Sequence, residues 1–193
     1  LKIGLPYFFL DIHLPLSRIK EMIKKTNCNF ILSDRPVPFV KRININKSRK
    51  IKKILYTSCT ADQTAYIMFT SGSSGSPKGA IISHQSVINF IRWCKDNFLL
   101  NKSDIFSQLN PLYFDNSVFD LYNSMLHGNT LVLIPPLDIN NPIQLLNKIQ
   151  KHKCTVWFST PSLLIYFINF NLLDKKKFIR IKKIIFGGEG FPK

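Results

Sequence analysis

The chain has 193 residues, 45% of them hydrophobic and 12% aromatic, and its 27 lysines and arginines against 11 acidic residues give a formal net charge of +16. That length suits one domain with a good core, and that composition excludes a disordered or collagen-like chain. No apolar run reaches the ~18 residues of a membrane helix and nothing at the start has signal-peptide order, so a soluble, cytoplasmic protein is expected. The chain starts at Leu1 and stops in "FGGEGFPK" just past a strand, so both ends read as cuts through a longer chain. In chain order, "LSRIKEMI" carries Leu16, Ile19, Met22 and Ile23 at helical spacing, and "NFILS" reads as a short buried strand closed by Pro36 and Pro38. The basic run that follows, "KRININKSRKIKK", has few aromatics on which bases would stack. We read 41–64 as a basic linker or loop; a nucleic-acid or lipid patch is the weaker reading of the same charge.

"AYIMFT", from Ala65 to Thr70, is an apolar run of strand length, and "GAIIS" is a second one. A helix then follows with Val87, Ile88, Ile91, Cys94 and Phe98 on one face and Ser83 available as its cap. "VFDLYNSML" predicts a helix with Val118, Phe119, Tyr122, Met125 and Leu126 on one side and Gly128 as its stop. After the strand "TLVLI", Asn141 and Pro142 form a cap and first-turn proline, ahead of a stripe of Ile143, Leu146 and Ile149. "CTVWF", a helix from Pro161 and the strand "KIIF" complete an α/β alternation. Strands apolar on both faces imply a parallel sheet with helices on each side, which binds ligands at the carboxyl ends of its strands.

Between the two strands of 65–83 lies "TSGSSGSPKG", which has almost no apolar surface to bury. Thr70, Ser71, Gly72, Ser73, Ser74, Gly75, Lys78 and Gly79 bring hydroxyls, turnable backbone N–H groups and one ammonium, the donors that hold phosphate oxygens. It is not a Walker loop: counted from Gly72, Pro77 and Gly79 replace the required glycine and hydroxyl. A plain Gly/Ser linker is the alternative, against which both flanks are apolar strands.

This signature, "TSGSSGSPKG" after an apolar strand, resembles that of the adenylate-forming superfamily, with Ser76 at its variable position. Three other stretches are similar to family segments in order and spacing. They are "GLPYFFLDIHLPLSRIKEMI" with Asp11, Pro15, Arg18 and Ile19, then "NPLYFDNSVFDLY", then "IIFGGEGFP". The resemblance implies layered, parallel-rich α/β sheets covered by helices, and identifies 1–193 as part of the large N-terminal domain of an adenylating enzyme. It implies ATP as co-substrate, with Lys78 catalytic beside the phosphate-binding positions, and Gly188 and Glu189 along the adenine. Magnesium is implied too, with its ligand beyond Lys193 and none within the chain. Phe114-Asp115-Asn116-Ser117 is similar to the amino-acid-activating members. There Asp115 pairs with an α-ammonium, and Asn116, Phe119, Phe158, Ile185 and Gly187 line the side-chain pocket. Read alone, Asp115 also fits a helix N-cap, and each pocket residue also fits a core position.

The expected reaction is formation of aminoacyl-AMP and release of pyrophosphate, then transfer to the phosphopantetheine thiol of a carrier protein. An acyl- or aryl-CoA ligase of the same superfamily, or a non-catalytic basic binding module, are the alternatives. Neither nucleic acid nor membrane is expected as a partner. His84 reads as a capping or packing residue, Asp104 and Asp120 as ordinary turn and helix-face residues, and the four scattered cysteines as reduced thiols.

Overall fold

The computed structural model describes residues 3–47, 57–70, 76–173 and 180–190. The chain divides into two units, Leu1–His84 and Gln85–Lys193.

In the first unit, Asp11 Oδ1 accepts from the His13 N–H at 2.9 Å, turning the chain into helix α1 (Leu16–Thr26). Pro15 stands at the N-cap, where its missing N–H costs nothing, and its carbonyl accepts from the Arg18 and Ile19 amides. Ile19, Met22 and Ile23 are the buried face, and Leu16, expected among them, is exposed. Asn27 ends the helix at φ +49°, a left-handed position that asparagine tolerates.

Strands β1 (Phe30–Ser33) and β2 (Lys41–Asn44) pair in parallel. Two expectations change here. Phe30 and Leu32 are exposed, so β1 is not a buried strand; and the start of the basic segment is strand rather than linker, ending in a 3₁₀ turn at Ile45–Lys47. Alternating Arg42 and Asn44 gave no apolar pattern from which to read it.

β3 (Thr64–Thr70) and β4 (Lys78–Ser83) pair antiparallel, with Thr70 opposite Lys78. The expectation of parallel pairing fails for this pair: a connection of seven residues can close a hairpin but is shorter than the dozen or so a parallel crossover needs. Tyr7 bridges Tyr66 in parallel, and the Ile67 amide donates to the Tyr7 carbonyl at 2.9 Å, so the upstream segment lies along β3.

The second unit fulfils the doubly covered parallel sheet. Strands β5 (Ile105–Gln108), β6 (Thr130–Leu133), β7 (Val156–Ser159) and β8 (Lys183–Phe186) run parallel in the order β6-β5-β7-β8. Phe106 lies opposite Leu131 and Val156, and Phe158 opposite Ile185. Together these pack against Cys94 and Leu100, in and after helix α2 (His84–Asn97), and against Phe119 of α3 (Ser117–His127). On the opposite face Trp157 packs with Leu145, Leu146 and Ile149 of α5 (Pro142–Lys151) and Leu164 and Phe167 of α6 (Pro161–Asn169). The period-two alternation of strand side chains makes both layers, and each fully buried large side chain contributes about 1.5–3 kcal/mol.

Asn141 caps α5, its Oδ1 accepting from the amides of Ile143 and Gln144 at 3.1 Å, and Gly128 ends α3 at φ +70°. A short helix, α4 (Pro136–Ile139), precedes this cap. Ile88, Met125, Leu126 and Ile143 are exposed, whereas Leu145 is fully buried. The helical stripes are therefore narrower and slightly rotated from the expected faces.

Asp104 and Asp120, expected as ordinary turn and helix-face residues, are both buried. Asp104 is held by the Lys183 ammonium at 2.8 and 3.0 Å, the Asn101 N–H at 2.9 Å and the Thr155 hydroxyl at 3.0 Å. Burial alone would raise its carboxyl, but Lys183, Asn101 and Thr155 outweigh that and hold it below the usual carboxylate range. Asp120 has no such partner: neither carboxylate oxygen is hydrogen-bonded among the described residues, and burial pushes its carboxyl well above its ordinary value. The Asn110 amide opposes that rise without cancelling it.

Candidate functional site

In the first unit the glycine- and hydroxyl-rich stretch is the connection of the β3–β4 hairpin. Ser71, Gly72, Ser73, Ser74 and Gly75 lie outside the described residues. Both limbs are described. Thr70 ends β3 and directs its hydroxyl to the Lys78 carbonyl at 3.4 Å, while Lys78 opens β4 with an exposed side chain. Pro77 is fully buried, and its ring fixes the backbone just before that lysine. Gly79 has a packing reason to be glycine: a Cβ there would meet Ile67 Cγ2 across the hairpin at 2.9 Å.

The descending limb is tied to α1. Lys25 Nζ donates to Ser76 Oγ at 2.6 Å and to the Pro77 carbonyl at 2.8 Å, and lies 3.1 Å from Glu21 Oε1. The Ser76 hydroxyl in turn donates to Glu21, and these hydrogen bonds from Ser76 and Lys25 lower the Glu21 carboxyl from its ordinary value. Sequence reasoning missed this pair. Glu21 and Lys25 have the i,i+4 spacing of any exposed helical ion pair, and nothing local points to a contact 51 residues away.

In the second unit the predicted substrate residues gather at the start of α3 and the carboxyl ends of β7 and β8. Asn116 Nδ2 donates to the Gly187 carbonyl at 3.4 Å. Gly188, at φ +91°, would bring a Cβ within 3.1 Å of that same amide nitrogen, so both its backbone angle and its neighbour favour glycine. The Phe119 and Phe158 ring centroids are 4.8 Å apart, and Ile185 packs with them. Phe119 is buried in the core cluster, whereas Phe158 and Ile185 are half-buried.

Asp115 is exposed, and Asn116, not Asp115, occupies the N-cap position of α3. The Asp115 Oδ1 accepts from the Asn116 amide at 2.9 Å, and no cation pairs with this carboxylate among the described residues. Glu189 directs its carboxylate to the N-terminus of α6, accepting from the hydroxyl and the amide of Ser162. His84 is the first residue of α2, its amide donating to the Gln63 carbonyl at 3.0 Å. No helix among the described residues is long and apolar enough to cross a membrane.

The second unit is a helix-covered parallel sheet with polar groups at its strand ends, where ligands of such sheets bind, and the first carries a hairpin with an exposed lysine. The comparisons with known proteins supply the class. The model of the AMP-binding enzyme family matches residues 1–193, and the chain belongs to that family. It is 30% identical to bacitracin synthase 3 of Bacillus licheniformis, over 99% of this chain and 3% of that protein. It is 28% identical to a D-alanine--D-alanyl carrier protein ligase of Bacillus mycoides, over 99% of this chain and 40% of that one. An L-proline--[L-prolyl-carrier protein] ligase of Streptomyces coelicolor is 33% identical over 72% of this chain and 26% of its own length. The chain thus spans less than half the length of these relatives.

Among solved structures, the AMPPNP-bound form of the nonribosomal peptide synthetase FmoA3 superposes with a TM-score of 0.83 at 22% identity, over 97% of this chain and 21% of that one. The N-terminal subdomain of Klebsiella oxytoca NpsA, in complex with 3-hydroxybenzoyl-AMSN, gives 0.82 at 21% identity, over 98% and 49%. Both share the fold, that of the N-terminal subdomain of adenylate-forming enzymes.

Proposed function

We propose that the chain is part of a ligase that activates an amino acid with ATP. The amino acid's carboxylate oxygen attacks the α-phosphorus of ATP. The new O–P bond forms as the bond to the β-phosphate oxygen breaks, giving aminoacyl-AMP and pyrophosphate. Such a transfer asks the protein mainly for positioning and charge stabilisation. Thr70, Ser71, Gly72, Ser73, Ser74, Gly75, Lys78 and Gly79 would hold the β- and γ-phosphates, with the exposed Lys78 ammonium compensating charge on the departing pyrophosphate. Gly188 and Glu189 would lie along the adenine, and Asn116, Phe119, Phe158, Ile185 and Gly187 would border the amino acid side chain. Magnesium would accompany the triphosphate; no group of His, Cys, Asp or Glu among the described residues would hold it.

The observation that carries the reading is Asp115, an exposed carboxylate at the start of α3 with no cation paired to it among the described residues. An α-ammonium supplies that cation, and a fatty or aryl acid does not. Passage of the aminoacyl group to a carrier-protein thiol accords with the names of the D-alanine and L-proline ligases it is similar to.

The test is ATP–pyrophosphate exchange by the full-length polypeptide over a panel of amino acids, each beside its analogue lacking the α-amino group. Exchange that requires the amino group is expected. Equal exchange with the desamino acids would make the protein an acyl- or aryl-activating ligase instead.

A further inference from the structure

We propose that Lys25 and Glu21 of helix α1 are positioning residues that aim Lys78 by clamping the limb of the hairpin connection just before it. The proposal rests on the phosphate-binding role given above to that connection. Its geometry is independent of that role.

The hydrogen-bond directions in the clamp are fixed by chemistry. A lysine ammonium only donates and an ionised carboxylate only accepts, so the Ser76 hydroxyl must accept from Lys25 and donate to Glu21, as observed. The three donors of Lys25 meet three oxygens: Ser76 Oγ, the Pro77 carbonyl and Glu21 Oε1. With its donors occupied, Lys25 has none to offer a phosphate. Its effect passes through the backbone instead. The Pro77 carbonyl it holds belongs to the peptide plane that carries the Lys78 amide, and the proline ring fixes the preceding torsion. The limb is therefore fixed at Ser76 and Pro77 from the helix side, while Thr70 Oγ1 fixes the Lys78 carbonyl from the strand side. A loop that must meet a triphosphate without reorganising needs such supports, since a charged donor misplaced by about 1 Å loses much of its effect. Lys24, adjacent on the same helix, is exposed and carries the same charge, but the hydrogen bonds to Ser76 and Pro77 come from Lys25, which makes Lys24 the internal control.

The experiment uses the full-length polypeptide with Lys25→Met, Lys25→Arg and Lys24→Met, read by hydrogen exchange of the 70–79 segment and by steady-state kinetics. Lys25→Met should speed amide exchange in that segment, leave α1 and β4 beyond Gly79 protected, and raise KM for ATP about threefold to tenfold, in keeping with the loss of exposed charge-assisted hydrogen bonds. KM for the amino acid and the melting temperature should stay put. Lys25→Arg, which keeps donors in reach, should recover part of the loss, and Lys24→Met should match wild type. Unchanged exchange of the segment in Lys25→Met overturns the clamp whatever the kinetics. Faster exchange with an unchanged KM for ATP in an active enzyme overturns its role in positioning. An equal rise in KM for Lys24→Met reduces the effect to net charge and also overturns it. A wild-type protein with no ATP-dependent exchange of pyrophosphate would sink the functional reading, while the hydrogen-exchange comparison would still decide whether the clamp exists.

Discussion

Replacing Lys183 by methionine removes the cation from a carboxylate that water does not reach. The Asp104 side chain is 0% exposed and that of Lys183 16%, with 2.8 Å between Nζ and Oδ2. At that distance and an effective dielectric near 20, the attraction is about 6 kcal/mol before the cost of desolvating both ions is subtracted. Removing one partner of a buried pair costs about 3–5 kcal/mol. Asp104 keeps the Asn101 N–H and the Thr155 hydroxyl, so the lower end, about 3 kcal/mol, is expected. For a chain of this length that is a fall in melting temperature of about 6–12 °C, followed by far-UV circular dichroism at pH 7.

The sign of the pH dependence gives a second handle. A carboxyl held below its unfolded value contributes stability that is present above about pH 4 and lost as pH falls through the folded value. Wild type and Lys183→Met should therefore converge in acid. Asp104→Asn should cost less, because the partly exposed Lys183 can turn its ammonium to water. A shift under about 2 °C for Lys183→Met, or a gap that persists unchanged at pH 3, would refute the argument that this pair fastens β8 to the segment entering β5.

Asp120 has the opposite sign. A carboxyl raised by burial favours folding most below about pH 4 and loses that contribution as pH rises toward its folded value. Asp120→Asn should therefore be more stable than wild type at pH 8, by about 1–3 kcal/mol in urea titration, with the difference shrinking toward pH 4; a destabilised variant at pH 8 would contradict this. Gly79→Ala forces a Cβ to within 2.9 Å of Ile67 Cγ2 and should lower stability by about 1–3 kcal/mol, and an unchanged melting curve would count against the packing account of this glycine. Burial raises the thiols of Cys94 and Cys154 to about 11, whereas Cys59 is exposed. A maleimide at pH 7.5 should mark Cys59 in the native chain and reach Cys94 and Cys154 only after denaturation, mapped by peptide mass spectrometry.

The second unit was the more legible of the two, because helices with a strong apolar stripe and short apolar strands carry their burial in their pattern. β5 escaped for a physical reason. Ser107 and Gln108 are polar yet buried, Ser107 Oγ donating to the Val156 carbonyl and Gln108 Nε2 to the Asn110 carbonyl, so the strand at the centre of the sheet does not look apolar. The same blindness applies to Asp104 and Asp120, whose burial is set by strands and helices distant in sequence. The antiparallel hairpin was written in the length of its connection, a signal overridden by the strand–helix alternation elsewhere. At the candidate site, the gathering of Asn116, Phe119, Phe158, Ile185 and Gly187 follows from strand ends and a helix start that the sequence already marks. The clamp of Glu21 and Lys25 on Ser76 and Pro77 is a long-range contact with no local signature.

The most direct test of the central claim is ATP–pyrophosphate exchange by full-length Asp115→Ala with the amino acid that the wild type uses best. If this carboxylate receives the α-ammonium and the bound substrate excludes water from the pair, exchange falls by at least about a hundredfold, as loss of one partner of a desolvated pair requires, while the melting temperature stays within about 2 °C because the substrate-free protein exposes the residue. Exchange at the wild-type rate would contradict the account and leave the amine without its recognised partner.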